Sequence, residues 1–362
     1  MSIDFSPSRW EKFERDYAAW WNGTLDRPLA PIVLRGREPG RPAPSTPPLC
    51  YETSTDLRYS VKEIVDRMEY DLSCNEYLGD AFPFWALNEF GPCFLVAFLG
   101  CEPHPAKDTV WLAPERILPI EELHFEFDPN HFRVQRILDL YAEAVRRWQG
   151  QVQLGISDIG GVMDNLSFFR PGELLLYDLY DAPEEVHRLE NELFDIWLKV
   201  FKLFCEAVPA QYRHGFADWT GLLSPVPCYT MQSDFSFMLS CDMFDEFVLP
   251  RLMRGFSAIP HTTYHMDGVG QLRNLVRILS IREVDVLQWV PGAGQKPAGE
   301  WPEVCRAAIA AGKKLQIIDG LDSLEGVCGC LMSGKGVHMY RVEGDVSERD
   351  KTMKRLNALG VE

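Results

Sequence analysis

From residue 55 onward, short apolar runs alternate with amphipathic stretches of about ten residues or more. The runs include "NEYLG" (75–79), "VQLGIS" (152–157), "TTYHM" (262–266), "EVDVLQWV" (283–290), "KLQIID" (314–319) and "GVHMYRV" (336–342). Between them lie helix-like segments such as "PNHFRVQRILDLYAEAVRRWQG" (129–150) and "EEVHRLENELFDIWLKVFKLFCEAV" (184–208), where Asp181 with Glu184 gives a capping-box-like start. Further helices are expected at 241–258, 269–280, 299–311 and 321–333. Consecutive parallel strands need a crossover helix, so this alternation implies a parallel sheet. About seven or eight such units in 362 residues favour a single closed (β/α)8 TIM barrel over an open sheet.

The N-terminal stretch reads differently. Residues 6–22 form an amphipathic helix capped by Ser6, with Pro7 at the first position. Residues 38–49 are a Pro-rich connector. Residues 1–50 are therefore expected to be a helical arm packed on a barrel of residues 51–362, and 102–127 an inserted β-hairpin.

Composition narrows the function. Acidic residues outnumber basic ones by 53 to 36, with no Lys/Arg-rich stripe to offset a net charge of -17. Such a surface repels nucleic acid and anionic membrane. No apolar run approaches the roughly 18 residues of a membrane span, and "MSIDFSPSRW" lacks a secretory pattern. The expectation is a cytoplasmic enzyme with a small-molecule substrate. The 10 cysteines are scattered without a CxxC pair and read as small buried apolar residues.

In a barrel, reactive groups sit where strands end and loops begin. Those positions here are Asp80, Asp158, Asp218 with Trp219, His265 with Asp267, Gln288 with Trp289, Asp319 and Glu343. Carboxylates dominate, with one histidine and aromatic walls. The competing reading of a lone strand-end Asp, such as Asp158 or Asp319, is a helix N-cap. His265 and Asp267 carry more weight: two residues apart on a strand they share a face, and Gly268 and Gly270 let the chain turn behind them. His261 reads as a strand-entrance residue. Cys328 and Cys330 fall in a helical segment, and "PGAGQKPAG" lacks phosphate-loop spacing.

Five stretches extend this reading: "YLGDAFPFWALNEFG", "LYDLYDAPEEVHRL", "QSDFSFMLSCDMFDEFVLPRL", "YHMDGVGQL" and "DVLQWVPGAG". Together, and in this order, they resemble the uroporphyrinogen decarboxylase superfamily, which also contains zinc-dependent methylcobamide:coenzyme M methyltransferases. The resemblance implies a TIM barrel with its site at the strand C-termini. It implies that Asp80 stands where the decarboxylases hold pyrrole NH groups. The N-terminal "RPLAPIVLRGREPGR" keeps Arg27, Arg35 and Arg37 but not the rest of the decarboxylase arginine signature. The methyltransferases bind zinc through His-x-Cys and a later Cys; here His265-x-Asp267 and Glu343 take those places.

The expectation that follows is a methyltransferase-like enzyme moving a methyl group between a small methylated compound, or a corrinoid on a partner protein, and an acceptor. A divalent metal, zinc first, would sit on His265, Asp267 and Glu343. Asp80 and Asp158 would orient a cationic or NH-bearing group, Gln288 would contact substrate, and Trp219 and Trp289 would form apolar walls. All would face one barrel mouth. The alternative is a carboxy-lyase acting on a tetrapyrrole or smaller acid, with Arg35 and Arg37 holding carboxylates. A third class is a corrinoid- or tetrapyrrole-binding protein without catalysis.

Overall fold

The computed structural model describes Ile3, residues 5–106 and residues 109–362. It is a mixed α/β structure with twelve strands: β1 (Pro31–Arg35), β2 (Asn75–Gly79), β3 (Phe84–Trp85), β4 (Cys101–Ala106), β5 (Thr109–Pro114), β6 (Gln153–Leu154), β7 (Cys228–Gln232), β8 (His261–Asp267), β9 (Val286–Val290), β10 (Lys314–Ile317), β11 (Val337–Met339) and β12 (Val342–Asp345). Strands β7 to β11 form one sheet in sequence order, and each neighbouring pair in it is parallel.

The two faces of this sheet differ in kind. Met231, Tyr264, Leu287, Leu315 and Val337 align in register across it and are all buried. Helices cover this apolar row. A Cβ on Gly255 would lie 2.4 Å from Met231 Cε, so the Met231 side chain fills the space that the glycine leaves on the Leu249–Ala258 helix. One residue further along each strand, Gln232, His265, Gln288, Gln316 and His338 form a polar row on the opposite face.

The remaining strands sit around this sheet. β1 pairs parallel with β12 and antiparallel with β2, while β3 pairs parallel with β6. Single parallel bridges join Leu29 to His338 and Ile156 to Asp218. Among the described residues these pairings do not run as one continuous closed ring. β4 and β5 make the antiparallel hairpin expected within 102–127, and residues 107–108 lie outside the described residues.

The helix Pro7–Trp21 is anchored by its aromatics. Trp20 Nε1 donates to Val337 O at 3.2 Å, Trp21 Nε1 to Leu223 O at 2.8 Å, and Tyr17 Oη to Asp80 O at 3.1 Å. Ser6 stands at its N-cap without a side-chain cap bond. Two local expectations differ from the structure, and one helix is added to them. The long helix at Pro183–Ala207 is capped by Ala182 instead of an Asp181 box. The 241–258 helix contains a π-turn at Phe244–Val248 just before Pro250, which has no N–H to continue an α ladder. A C-terminal helix, Arg349–Ala358, was not apparent from the sequence pattern.

Candidate functional site

The polar row is a hydrogen-bonded chain. His265 Nδ1 bonds Gln288 Oε1. Gln288 Nε2 donates to Gln316 Oε1 at 2.5 Å, and Gln316 Nε2 meets His338 Nδ1 at 3.0 Å. Gln288, Gln316 and His338 are essentially without solvent contact. Burial pushes the His338 imidazole down to about 3, so it stays neutral and accepts from Gln316 through Nδ1. With that polarity, each amide donates toward His338, and Gln288 offers only its oxygen to His265. When neutral, His265 bonded in this way carries its proton on Nδ1 and leaves Nε2 as a lone pair.

That Nε2 faces two carboxylates. It lies 3.9 Å from Asp234 Oδ1, and ligand atoms of Asp234, His265 and Asp267 all fall within 4.8 Å of one another. Trp219 closes one side, its ring edge-on to His265 at 5.6 Å and 82°. The glycines behind Asp267 have a geometric role. Gly268 takes φ +82°, a conformation that favours glycine, and the Phe237 ring packs against Gly270, where a Cβ would sit 2.4 Å from it.

Further acids surround this trio. Asp158 accepts from Gly160 N at 2.8 Å and from Gln232 Nε2 at 3.5 Å. Burial, opposed by the Gly160 bond and the nearby His265, raises its carboxyl to about 6. Asp164 accepts from Phe235 N at 2.8 Å but its other oxygen is buried without a partner. Burial and then Asp234 lift it to about 7. Asp234 is lifted to about 7 by burial, Asp267 and Asp158, although half its side chain remains exposed and solvent there softens the effect. Cys93 completes the group: it adopts φ +56°, and a Cβ on Gly160 would lie 2.6 Å from its sulfur. Burial and Asp158 push its thiol well above the ordinary range, so it is a protonated thiol at neutral pH.

Of the strand-end residues read from the sequence, the structure brings Asp158, His265, Asp267, Gln288 and Trp219 together. It adds Asp164, Asp234 and Cys93. Glu343 is not part of this cluster: on β12 it pairs with Arg35 and lies 4.0 Å from Arg341, and the second carboxylate beside His265 is Asp234. Asp80 is fully buried in a two-pronged salt bridge with Arg27, at 2.8 and 2.9 Å, and accepts from Ala30 N. Those bonds tie it to the N-terminal segment, not to His265. Trp289 follows Gln288 on β9 and so points to the apolar face, where it packs edge-on against Trp301 with no solvent exposure. Asp218 spends both oxygens on Thr220 and Thr230, and Asp319 accepts from Ala298 N. Arg37 donates to Ser73 O. His261 begins β8 and meets Ser224 Oγ at 2.9 Å.

No helix among the described residues is long and apolar enough to cross a membrane. No family model and no curated protein matches the chain. Among solved structures, a methyltransferase from Methanosarcina mazei is similar, with a TM-score of 0.61 and 13% identity. The match covers 94% of this chain and 99% of that one, and at this identity it is a likeness of fold.

Proposed function

We propose that this protein is a methyltransferase-like enzyme on a (β/α)8 barrel. It moves a methyl group between a small methylated compound, or a corrinoid carried by a separate protein, and an acceptor. The barrel reading is supported by the five parallel strands and by the bridges Leu29–His338 and Ile156–Asp218 at their flanks. The methyltransferase structure of similar fold supports the reaction class.

One observation carries the reading: His265 is bonded through Nδ1 to a buried amide chain, turns Nε2 toward Asp234, and has its ligand atom within 4.8 Å of those of Asp234 and Asp267. One nitrogen and two oxygens within 4.8 Å fit a divalent ion such as zinc. The Gln288 bond on the other ring nitrogen is the supporting contact a metal-ligating histidine normally has. A cation would also relieve the repulsion that lifts Asp164 and Asp234. When bound, it would act as a Lewis acid that polarises or positions the acceptor. In this reading Asp234 takes the place first assigned to Glu343. Asp158, titrating near neutrality, exchanges a proton with a cationic or NH-bearing group. Trp219 forms the apolar wall beside His265.

The carboxy-lyase reading has one point in its favour. Arg35, Arg67 and Arg341 line a cavity of about 410 Å³ with Glu343, and Asn88 on its wall donates to Trp219 O at 3.0 Å. Yet Arg67 is already paired with Asp71, and Arg35 and Arg341 share Glu343. These cations are offset before a carboxylate arrives, which ranks this reading second.

The test is methyl transfer from free methylcobalamin to a small thiol in the presence of zinc, followed by the corrinoid spectrum. Zinc-dependent demethylation that His265→Ala abolishes is expected. Decarboxylation of an acid by the metal-free protein, with no demethylation, would overturn the proposal.

A further inference from the structure

A second cavity, of about 340 Å³, lies beneath the β4–β5 hairpin. Leu57, Phe90, Phe94, Pro103, Pro105 and Phe132 form its apolar walls. Phe90 and Phe94 are buried, while Leu57 and Phe132 remain 59% and 50% exposed at its rim. Its volume falls within the range of small-molecule pockets, roughly 300–1,000 Å³.

Two polar groups in this apolar setting lack partners. Ser54 is 1% exposed and its Oγ makes no hydrogen bond, although it lines the cavity. Arg136 donates to Tyr59 O at 2.6 Å, but its buried Nε has no acceptor, and it forms no ion pair among the described residues. A guanidinium stays charged and carries five donors, so a half-buried one with its Nε enclosed and no carboxylate partner still has donors to offer a ligand. Burial holds its pKa below the ordinary value, the mark of a cation with too few compensating contacts. Its neighbour Arg133 is already paired with Glu102 and stacks over Phe132. A planar carboxylate matches the guanidinium fork, and a hydroxyl can donate to the same anion.

We propose that this cavity binds a small apolar carboxylate, its anionic end on Arg136 and Ser54 and its hydrocarbon end against Phe90, Phe94 and Phe132. No residue lining the cavity belongs to the His265 cluster, and the proposal does not depend on the methyltransferase reading. Two acids also line the cavity, Asp56 and the exposed Glu52, and Asp56 is paired with Arg58; they disfavour ligands with a second negative charge.

Isothermal titration of the full-length protein with 3-phenylpropanoate and its uncharged amide tests this. The carboxylate should bind about tenfold or more tightly than the amide. Arg136→Gln should reduce it to the level of the amide, Phe132→Ala should weaken both ligands alike, and His265→Ala should change neither. If Arg136→Gln does not fold, Arg136→Lys, which keeps the charge but loses the fork, should still erode the preference for the carboxylate. Equal binding of the two ligands, no binding by wild type, or loss of binding in His265→Ala would overturn the proposal. So would self-association that Phe132→Ala abolishes, since a second copy would then be the occupant.

Discussion

His265 and Gln288, neighbours on adjacent parallel strands, share a hydrogen bond through Nδ1 and Oε1 that leaves the other ring nitrogen facing Asp234. In this arrangement the glutamine's amide nitrogen is spent on Gln316 and that residue's on His338. A buried row thus sets the chemistry of a side chain at the cluster's edge.

Removing the first support should therefore act on the metal, and removing the second on stability. Gln288→Leu is expected to lower zinc affinity by about 10–100-fold, the usual effect of losing such a contact. Gln316→Leu strands Gln288 Nε2 and His338 Nδ1 in the interior, and should cost about 2–4 kcal/mol in urea unfolding. A Gln316→Leu protein as stable as wild type would mean that the row is not a bonded chain.

His338 makes stability depend on pH in a defined direction. Its folded pKa of about 3 lies below the ordinary 6.5, so between these values the unfolded chain binds the extra proton. Stability from this residue is complete above about 6.5 and falls as pH drops toward 3. At pH 5 the loss should be about 1–2 kcal/mol. His338→Asn keeps an acceptor for Gln316 and removes the titration, so its unfolding free energy should fall less between pH 7 and 5 than that of wild type. Parallel pH curves for the two proteins would contradict this.

Asp80 is predicted to hold the N-terminal helix, not the substrate. Asp80→Asn leaves Arg27 with Asp16 alone at 3.0 Å and should destabilise the fold by about 3 kcal/mol or more. Turnover per folded molecule should be unchanged. A loss of turnover without a fall in melting temperature would return Asp80 to the site.

How much of this was legible in the sequence varies by residue. The β8 pair was readable because period two and flanking glycines are local signals, and the order of the parallel strands followed from their helical crossovers. Asp234 was missed because its strand was: "CYTMQ" carries little hydrophobicity, and its burial is supplied by β8 and the Leu249–Ala258 helix. Asp164 lies on the Val162–Phe169 helix, where an acid reads as a favourable first-turn residue. Cys93 reaches the cluster through a left-handed turn that no residue pattern announces. Glu343 and Asp80 show the opposite failure. Both stand near strand ends, but each meets an arginine, Arg35 and Arg27, whose pairing is a matter of three-dimensional proximity.

Cobalt(II) titration followed by electronic absorption reads out a divalent ion on His265, Asp267 and Asp234. About one equivalent should bind per chain, with a weak visible spectrum from nitrogen and oxygen ligands and no thiolate-to-cobalt charge-transfer band. Asp234→Asn should weaken binding, His265→Ala should abolish it, and Glu343→Gln should leave it unchanged. A strong thiolate band would place Cys93 among the ligands, and binding lost in Glu343→Gln but kept in Asp234→Asn would contradict the assignment outright.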